Sequence, residues 1–145
     1  MTEPIQLRLS VPCSPEHAFD VWTRRTSMWW PSSHSVSGDP GLTVTIEPRV
    51  GGRIVERATD GEEHTWGEIL DWRPPTSFTY RLHLNQQVAD ATEVTIEFLE
   101  AVDGAEVRIT HRGWERLGTK GPGLQRRNRQ GWAGVLPPYE RACSA

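Results

Sequence analysis

No stretch of this chain is apolar over the roughly 20 residues that a bilayer-crossing helix requires. The N-terminus, MTEPIQLRLS, lacks a basic region followed by an apolar run, so no signal peptide is expected. Cysteine is scarce. Cys13 and Cys143 stand near opposite ends of the sequence, with no C-x-x-C pair and no metal-ligand spacing. Together these absences make the cytoplasm the expected location, with both thiols free. A basic excess is also missing: 16 Lys and Arg against 19 Asp and Glu leave a net charge of −3, which argues against a nucleic-acid partner. The motifs of common chemistries are absent as well. The histidines form no H-x-H or H-x-x-x-H pair, and no G-x-S-x-G or paired Cys–His signature occurs. GTKGPG at 118–123 is glycine-rich but has no Lys-Ser/Thr ending, so it is not a phosphate loop. No metal, no cofactor and no catalytic residue is therefore expected.

What is present is one domain's worth of chain, 145 residues, expected to fold as a single unit over 1–145. Its hydrophobic fraction of 36% is low, yet it holds seven Trp, which points to a core or cavity wall built from aromatic area. Ile5, Leu7, Leu9 and Val11 alternate with polar residues and predict a strand. Ser14 followed by Pro15 reads as a helix N-cap and first turn, with Ala18, Phe19 and Trp22 on one side. A second short helical turn holds Met28, Trp29 and Trp30, and residues 31–41 read as a loop. From Leu42 the period becomes two. Strands are predicted around Val44, around Ile54 and Val55, from His64 to Trp72, and then through Tyr80, Ile96 and Ile109. Gly51-Gly52, Asp60-Gly61 and Asp103-Gly104 mark hairpin turns. Residues 113–123 read as a loop. A last helix is predicted over 124–142, with Pro137-Pro138 expected to kink or break it. Hairpins make the sheet antiparallel, and its apolar face must be covered. Only the last helix is long enough to do so, and a bent sheet closed by one helix leaves space between them.

Several blocks carry a family resemblance. They are Ser14 to Thr23 (SPEHAFDVWT), Trp29-Trp30, Gly51-Gly52-Arg53, Gly67-Glu68-Ile69 leading to Arg73-Pro74-Pro75, Val94 to Phe98, His111-Arg112-Gly113, and Gly131-Trp132 with Val135-Leu136. In this order they resemble the proteins related to the activator of heat-shock-protein-90 ATPase. That family lies in a superfamily with the START lipid-transfer domains, the birch-pollen-allergen-like proteins and the aromatic polyketide cyclases. The resemblance implies an α+β helix-grip fold: a curved antiparallel sheet of six to seven strands wrapped around a long C-terminal helix, with two short helices after the first strand. It implies a cavity between sheet and helix. The eukaryotic co-chaperone of the family carries a further N-terminal domain that these residues do not include, and the proline pair departs from the pattern of the closing helix.

The expected ligand is a small apolar or amphipathic molecule, held by a monomer or a homodimer. Trp29 and Trp30 cannot both face the core from one short helix, so one lies at the pocket mouth, near His34. Trp66, Tyr80, Trp132, Leu136 and Tyr139 are expected to line the pocket. His111 shares the face of Val107 and Ile109 and should point inward, where it and Tyr80 would orient the ligand. A cyclase-like enzyme is an alternative, with His111 or Glu68 moving a proton. A protein-interaction module is another, using the outer sheet face and the cationic cluster Arg112, Arg116, Lys120, Arg126, Arg127 and Arg129.

Overall fold

Alternation sets the first strand, β1 (Ile5–Val11), whose Ile5, Leu7, Leu9 and Val11 pack toward the interior. The computed structural model describes residues 2–144. Helix α1 (Pro15–Arg24) starts where Ser14 Oγ accepts the His17 N–H at 3.1 Å and Pro15 supplies a first-turn φ. A single turn, α2 (Thr26–Trp29), follows directly. Six strands succeed it: β2 (Thr43–Ile46), β3 (Arg53–Arg57), β4 (Glu63–Arg73), β5 (Ser77–Leu82), β6 (Thr92–Ala101) and β7 (Gly104–Arg112). The chain closes with α3 (Gly121–Cys143).

All pairings are antiparallel and the sheet order is β1-β7-β6-β5-β4-β3-β2. The expected α+β helix-grip fold is therefore present, with seven strands. Inward residues repeat at every second position on β5, β6 and β7: Phe78 and Tyr80, then Val94, Ile96 and Phe98, then Val107, Ile109 and His111. Phe19 of α1 meets this face edge-on, its ring centroid 5.3 Å from that of Phe98. Trp22 turns from the same helix toward α3, 4.7 Å from the Tyr139 ring.

The long strand β4 breaks the alternation. Ile54 pairs with Gly67 but Val55 with Thr65, so Trp66 is an extra residue on its strand. Parity reverses there: Trp66 and Ile69, three apart, are both buried. Only glycine fits at 67, since a Cβ would stand 1.6 Å from the Arg81 carbonyl oxygen.

Two expectations are corrected. Residues 113–123 are not a loop: Trp114–Lys120 form 3₁₀ turns, and α3 already begins at Gly121. Buried Trp114 and Leu117 anchor this stretch, and the Trp114 indole donates to the His111 carbonyl at 3.0 Å. Nor does Pro137-Pro138 break the last helix, which runs on to Cys143. Tertiary contacts hold α3 on both sides of the prolines. Trp132 Nε1 donates to His111 Nδ1 at 3.0 Å, and Tyr139 Oη donates to the Ala18 carbonyl at 2.8 Å. One turn beyond, Cys143 lies near Cys13, both free thiols, so the two ends of the sequence meet. Burial pushes the Cys143 thiol up to about 12.

Candidate functional site

Sheet and α3 diverge on the side of β2, β3 and β5, and a cavity of about 290 Å³ opens between them. That volume is at the lower end of small-molecule sites, which span ~300–1,000 Å³. Its inner wall is apolar. Val44 and Ile46 come from β2, Ile54 from β3, Trp66 from β4, Tyr80 from β5, and Trp132 and Val135 from α3. Its rim is polar and more exposed: Ser33 and His34 from the 31–41 segment, Asn85 and Gln86 after β5, Arg127 and Asn128 from α3.

Five of the residues expected at the site line this cavity: Trp30, His34, Trp66, Tyr80 and Trp132. The tryptophan pair splits as its geometry requires. Trp29 is buried and its indole donates to the Val21 carbonyl at 2.9 Å, whereas Trp30 is half-buried and turns to the cavity, 5.0 Å from Trp66. Tyr80 is 4% exposed and nothing among the described residues hydrogen-bonds its hydroxyl, which keeps its access to the cavity. Burial raises its pKa, so the phenol stays protonated and can donate.

Four expected residues lie elsewhere. Trp29 and Tyr139 are spent on backbone carbonyls in the core. Leu136 packs against the core beside the proline pair, one position past the lining Val135. His111 points inward as its alternation implies, but it is sealed at 0% exposure behind Trp132 and lines no part of the cavity. The Trp132 indole can only donate, so His111 Nδ1 must be the acceptor. The proton therefore sits on Nε2, which faces Thr92 Oγ1 at 2.7 Å. Burial pushes this imidazole down to about 3, and both nitrogens are occupied in the neutral form.

Glu68, the other proton carrier of the cyclase-like alternative, lies on the solvated sheet face. The extra residue at Trp66 turns it outward, where it pairs with Arg81 at 2.6 Å. The buried carboxylate is Glu56, at 0% exposure, although a strand glutamate is ordinarily solvated. Its parity with Ile54 on β3 was the available signal. Glu56 accepts from the Val36 N–H and the Ser37 N–H at 2.8 Å each, and from the Trp66 indole at 2.9 Å. Burial alone would raise its pKa, but the Ser37 hydroxyl, these two amides and the indole outweigh that and hold it below the usual carboxylate range. Glu56 thus ties the 31–41 segment to the Trp66 wall.

That segment is also held to other elements by Asn85, by Trp30 and by Thr59, whose N–H and hydroxyl donate to Asp39 Oδ2 at 2.8 and 2.6 Å. Asn85 Nδ2 donates to the Ser35 carbonyl at 3.1 Å, Trp30 Nε1 donates to the His34 carbonyl at 3.0 Å, and Ser33 Oγ stands 3.1 Å from His34 Nδ1. The His34 ring itself lies in a notch on α3. A Cβ at Gly134 would come within 2.7 Å of its Cε1 and Nε2.

Comparison with known proteins follows the same outline. The family described as Activator of Hsp90 ATPase homolog 1-like protein matches residues 12–137. No curated protein matches the chain. Protein MLL2253 from Mesorhizobium loti superposes with a TM-score of 0.72 at 16% identity, over 97% of this chain and 96% of that one. The AHSA1-like protein from Aeromonas hydrophila gives 0.69 at 19% identity, over 97% and 92%. Protein Ms6760 from Mycobacterium smegmatis gives 0.68 at 15%, over 98% and 88%. At these identities the likeness is one of fold.

Proposed function

The chain belongs to the Activator of Hsp90 ATPase homolog 1-like family, and on that premise we propose that it is a single-domain binding protein for a small hydrophobic or amphipathic molecule. The observation that carries this reading is the cavity between sheet and α3, apolar within and polar at its rim. An empty apolar site gains from any ligand that replaces water against its walls. Tyr80 adds a point of orientation: its unpartnered hydroxyl, in an otherwise apolar wall, suits a carbonyl or ether oxygen on the ligand. The cyclase-like alternative needs a proton-transferring group in contact with substrate. His111 is closed off by Trp132 and Thr92, and Glu68 faces away, so neither candidate supports it.

Trp22, Trp30, Trp66 and Trp132 all line the cavity, so intrinsic fluorescence reports its occupancy. Titration with a panel of fatty acids, flavonoid-like aromatics and polyketide-like compounds is expected to give saturable quenching. For ligands carrying an oxygen acceptor, Tyr80→Phe should weaken binding about three- to tenfold, the worth of one hydrogen bond. No saturable quenching by any compound, with the protein folded, would remove the support. The reading would then move to a protein partner at the cationic face.

A further inference from the structure

The charges around the cavity are one-sided. The chain as a whole is acidic, with 19 Asp and Glu against 16 Lys and Arg. Yet among the described residues lining the cavity none is acidic, and Arg127 is a permanent cation on its rim. Neutral polar groups accompany it there: the Gln86 amide, the Asn128 amide, which keeps one N–H beyond its bond to the Leu124 carbonyl, and the Ser33 hydroxyl beside His34 Nδ1. Of the other cations near this end of α3, Arg126 and Arg129 are exposed and do not line the cavity, and two more are paired. Lys120 meets Asp90 at 3.1 Å, and Arg112 meets Glu93 at 3.0 Å. Arg127 has no ion-pair partner among the described residues. The nearby ionised carboxylate, Glu56, lies behind Trp66 with its oxygens taken by Val36, Ser37 and Trp66 N–H groups. It therefore puts no acceptor into the cavity.

We propose that the cavity's ligand is a small apolar carboxylic acid, its carboxylate at Arg127 on the rim and its hydrocarbon part between Ile54, Trp66 and Trp132. This rests on the ligand-binding reading above and names the class of molecule. A planar guanidinium matches a carboxylate's two oxygens, and neighbouring amides can donate to either. A phosphate head group would call for more than one cation or a cradle of backbone N–H groups. Neither is at this rim, where Arg127 stands in the second turn of α3. The volume of about 290 Å³ suits a single short chain or an aryl-alkyl group, not a two-chain lipid.

The test compares octanoate with 1-octanol, which share a tail and differ in head-group charge. Binding is followed by tryptophan quenching at pH 8 in the wild type, Arg127→Gln and Arg126→Gln. Arg126 is exposed and does not line the cavity, so its variant controls for general surface charge. Arg127→Gln is expected to weaken octanoate about fivefold, the scale of a solvent-facing charged pair, and octanol less than twofold. Arg126→Gln should leave both within twofold, and 0.5 M salt should erode the octanoate preference of the wild type. If both compounds bind but their ratio is the same in wild type and Arg127→Gln, the carboxylate assignment is wrong while the cavity reading stands. If neither binds the folded protein, both fail.

Discussion

At the scale of single residues, two sealed polar groups govern how this protein answers to pH, and neither is in the cavity. His111 is locked neutral because its Nδ1 must accept from Trp132. Its folded pKa, about 3, lies below the ordinary 6.5. Between those values the unfolded chain binds a proton that the folded one does not. This contribution to stability is therefore complete above pH 6.5 and is lost as pH falls toward 3. The carboxylates with lowered pKa, Asp39, Glu47 and Glu56, act below their ordinary values of 3.8 and 4.5, so of the groups with shifted pKa it is His111 that acts between 5 and 6.5. Urea unfolding across that interval should show stability falling with acid, approaching ~1.4 kcal/mol per pH unit at its lower end. In His111→Gln that slope should flatten; an unchanged slope would assign it elsewhere. Glu56 makes a different prediction. A glutamine has one acceptor oxygen for donors that now use two, so Glu56→Gln leaves a buried N–H unsatisfied at a cost of roughly 1–3 kcal/mol. Hydrogen exchange at Val36 and Ser37 should accelerate, because these amides are the ones Glu56 holds. Protection unchanged at both would mean the segment is anchored by its other contacts, with Asn85, Trp30 and Thr59. The sequence exposed His111 readily, through its parity with Ile109. It hid Glu56, because β3 is short and a strand glutamate is ordinarily solvated.

At the scale of elements, the strands were legible and the joints between them were not. Alternation on β1, β6 and β7 identified most inward residues there, since no bulge interrupts their register, and missed only the strand-end positions Thr92 and Ala105. On β4 the same reasoning failed after Trp66, where one extra residue carried Glu68 outward. Helix α3 was misjudged at both marks that local chemistry offers. Its start lies within a glycine-rich stretch, and its proline pair does not end it, because Trp132 and Tyr139 fix the backbone on either side. The same helix carries a feature that no local pattern could show, the Gly134 notch that receives His34. Elsewhere a helix-interior Gly→Ala change is worth about 1 kcal/mol of added stability. Here the new methyl would displace the imidazole, so Gly134→Ala should gain much less in the wild-type background. In a His34→Ala background it should recover about 1 kcal/mol in urea unfolding. Equal gains in both backgrounds would show that His34 does not depend on the notch.

At the scale of the whole molecule, the cavity follows from a mismatch between two well-packed ends. Toward β1, β6 and β7 the sheet is covered by α1, Trp114 and the sealed His111–Trp132 contact, leaving no room. Toward β2 and β3 the cover comes from α2, whose Ser27 bonds the Val44 backbone, from Trp30 and from one flank of α3, and a space persists between them and the Trp66 wall. The existence of that space was legible, because a bent sheet closed by one helix must part from it somewhere. Its location was legible in part, since Trp30, His34, Trp66, Tyr80 and Trp132 do line it, but its extent depends on which of seven Trp side chains turn into the core. Val135 supplies the decisive test of where the ligand sits. It is buried on α3 with its side chain at the cavity. In a filled core, Val135→Phe would overpack and cost typically 1–3 kcal/mol. With the cavity to receive the ring, the variant should lose less than about 1 kcal/mol, because the added area is buried without displacing neighbours. It should also abolish quenching by whichever compounds bind the wild type, and with it their stabilisation. At a concentration of 100 Kd that stabilisation is about 2.7 kcal/mol, a rise in Tm of roughly 5–10 °C for a chain of this size. A variant that stays stable and loses the ligand-induced rise places the ligand between sheet and α3. One that stays stable and keeps the rise places it elsewhere, and a strongly destabilised one means the interior is already full.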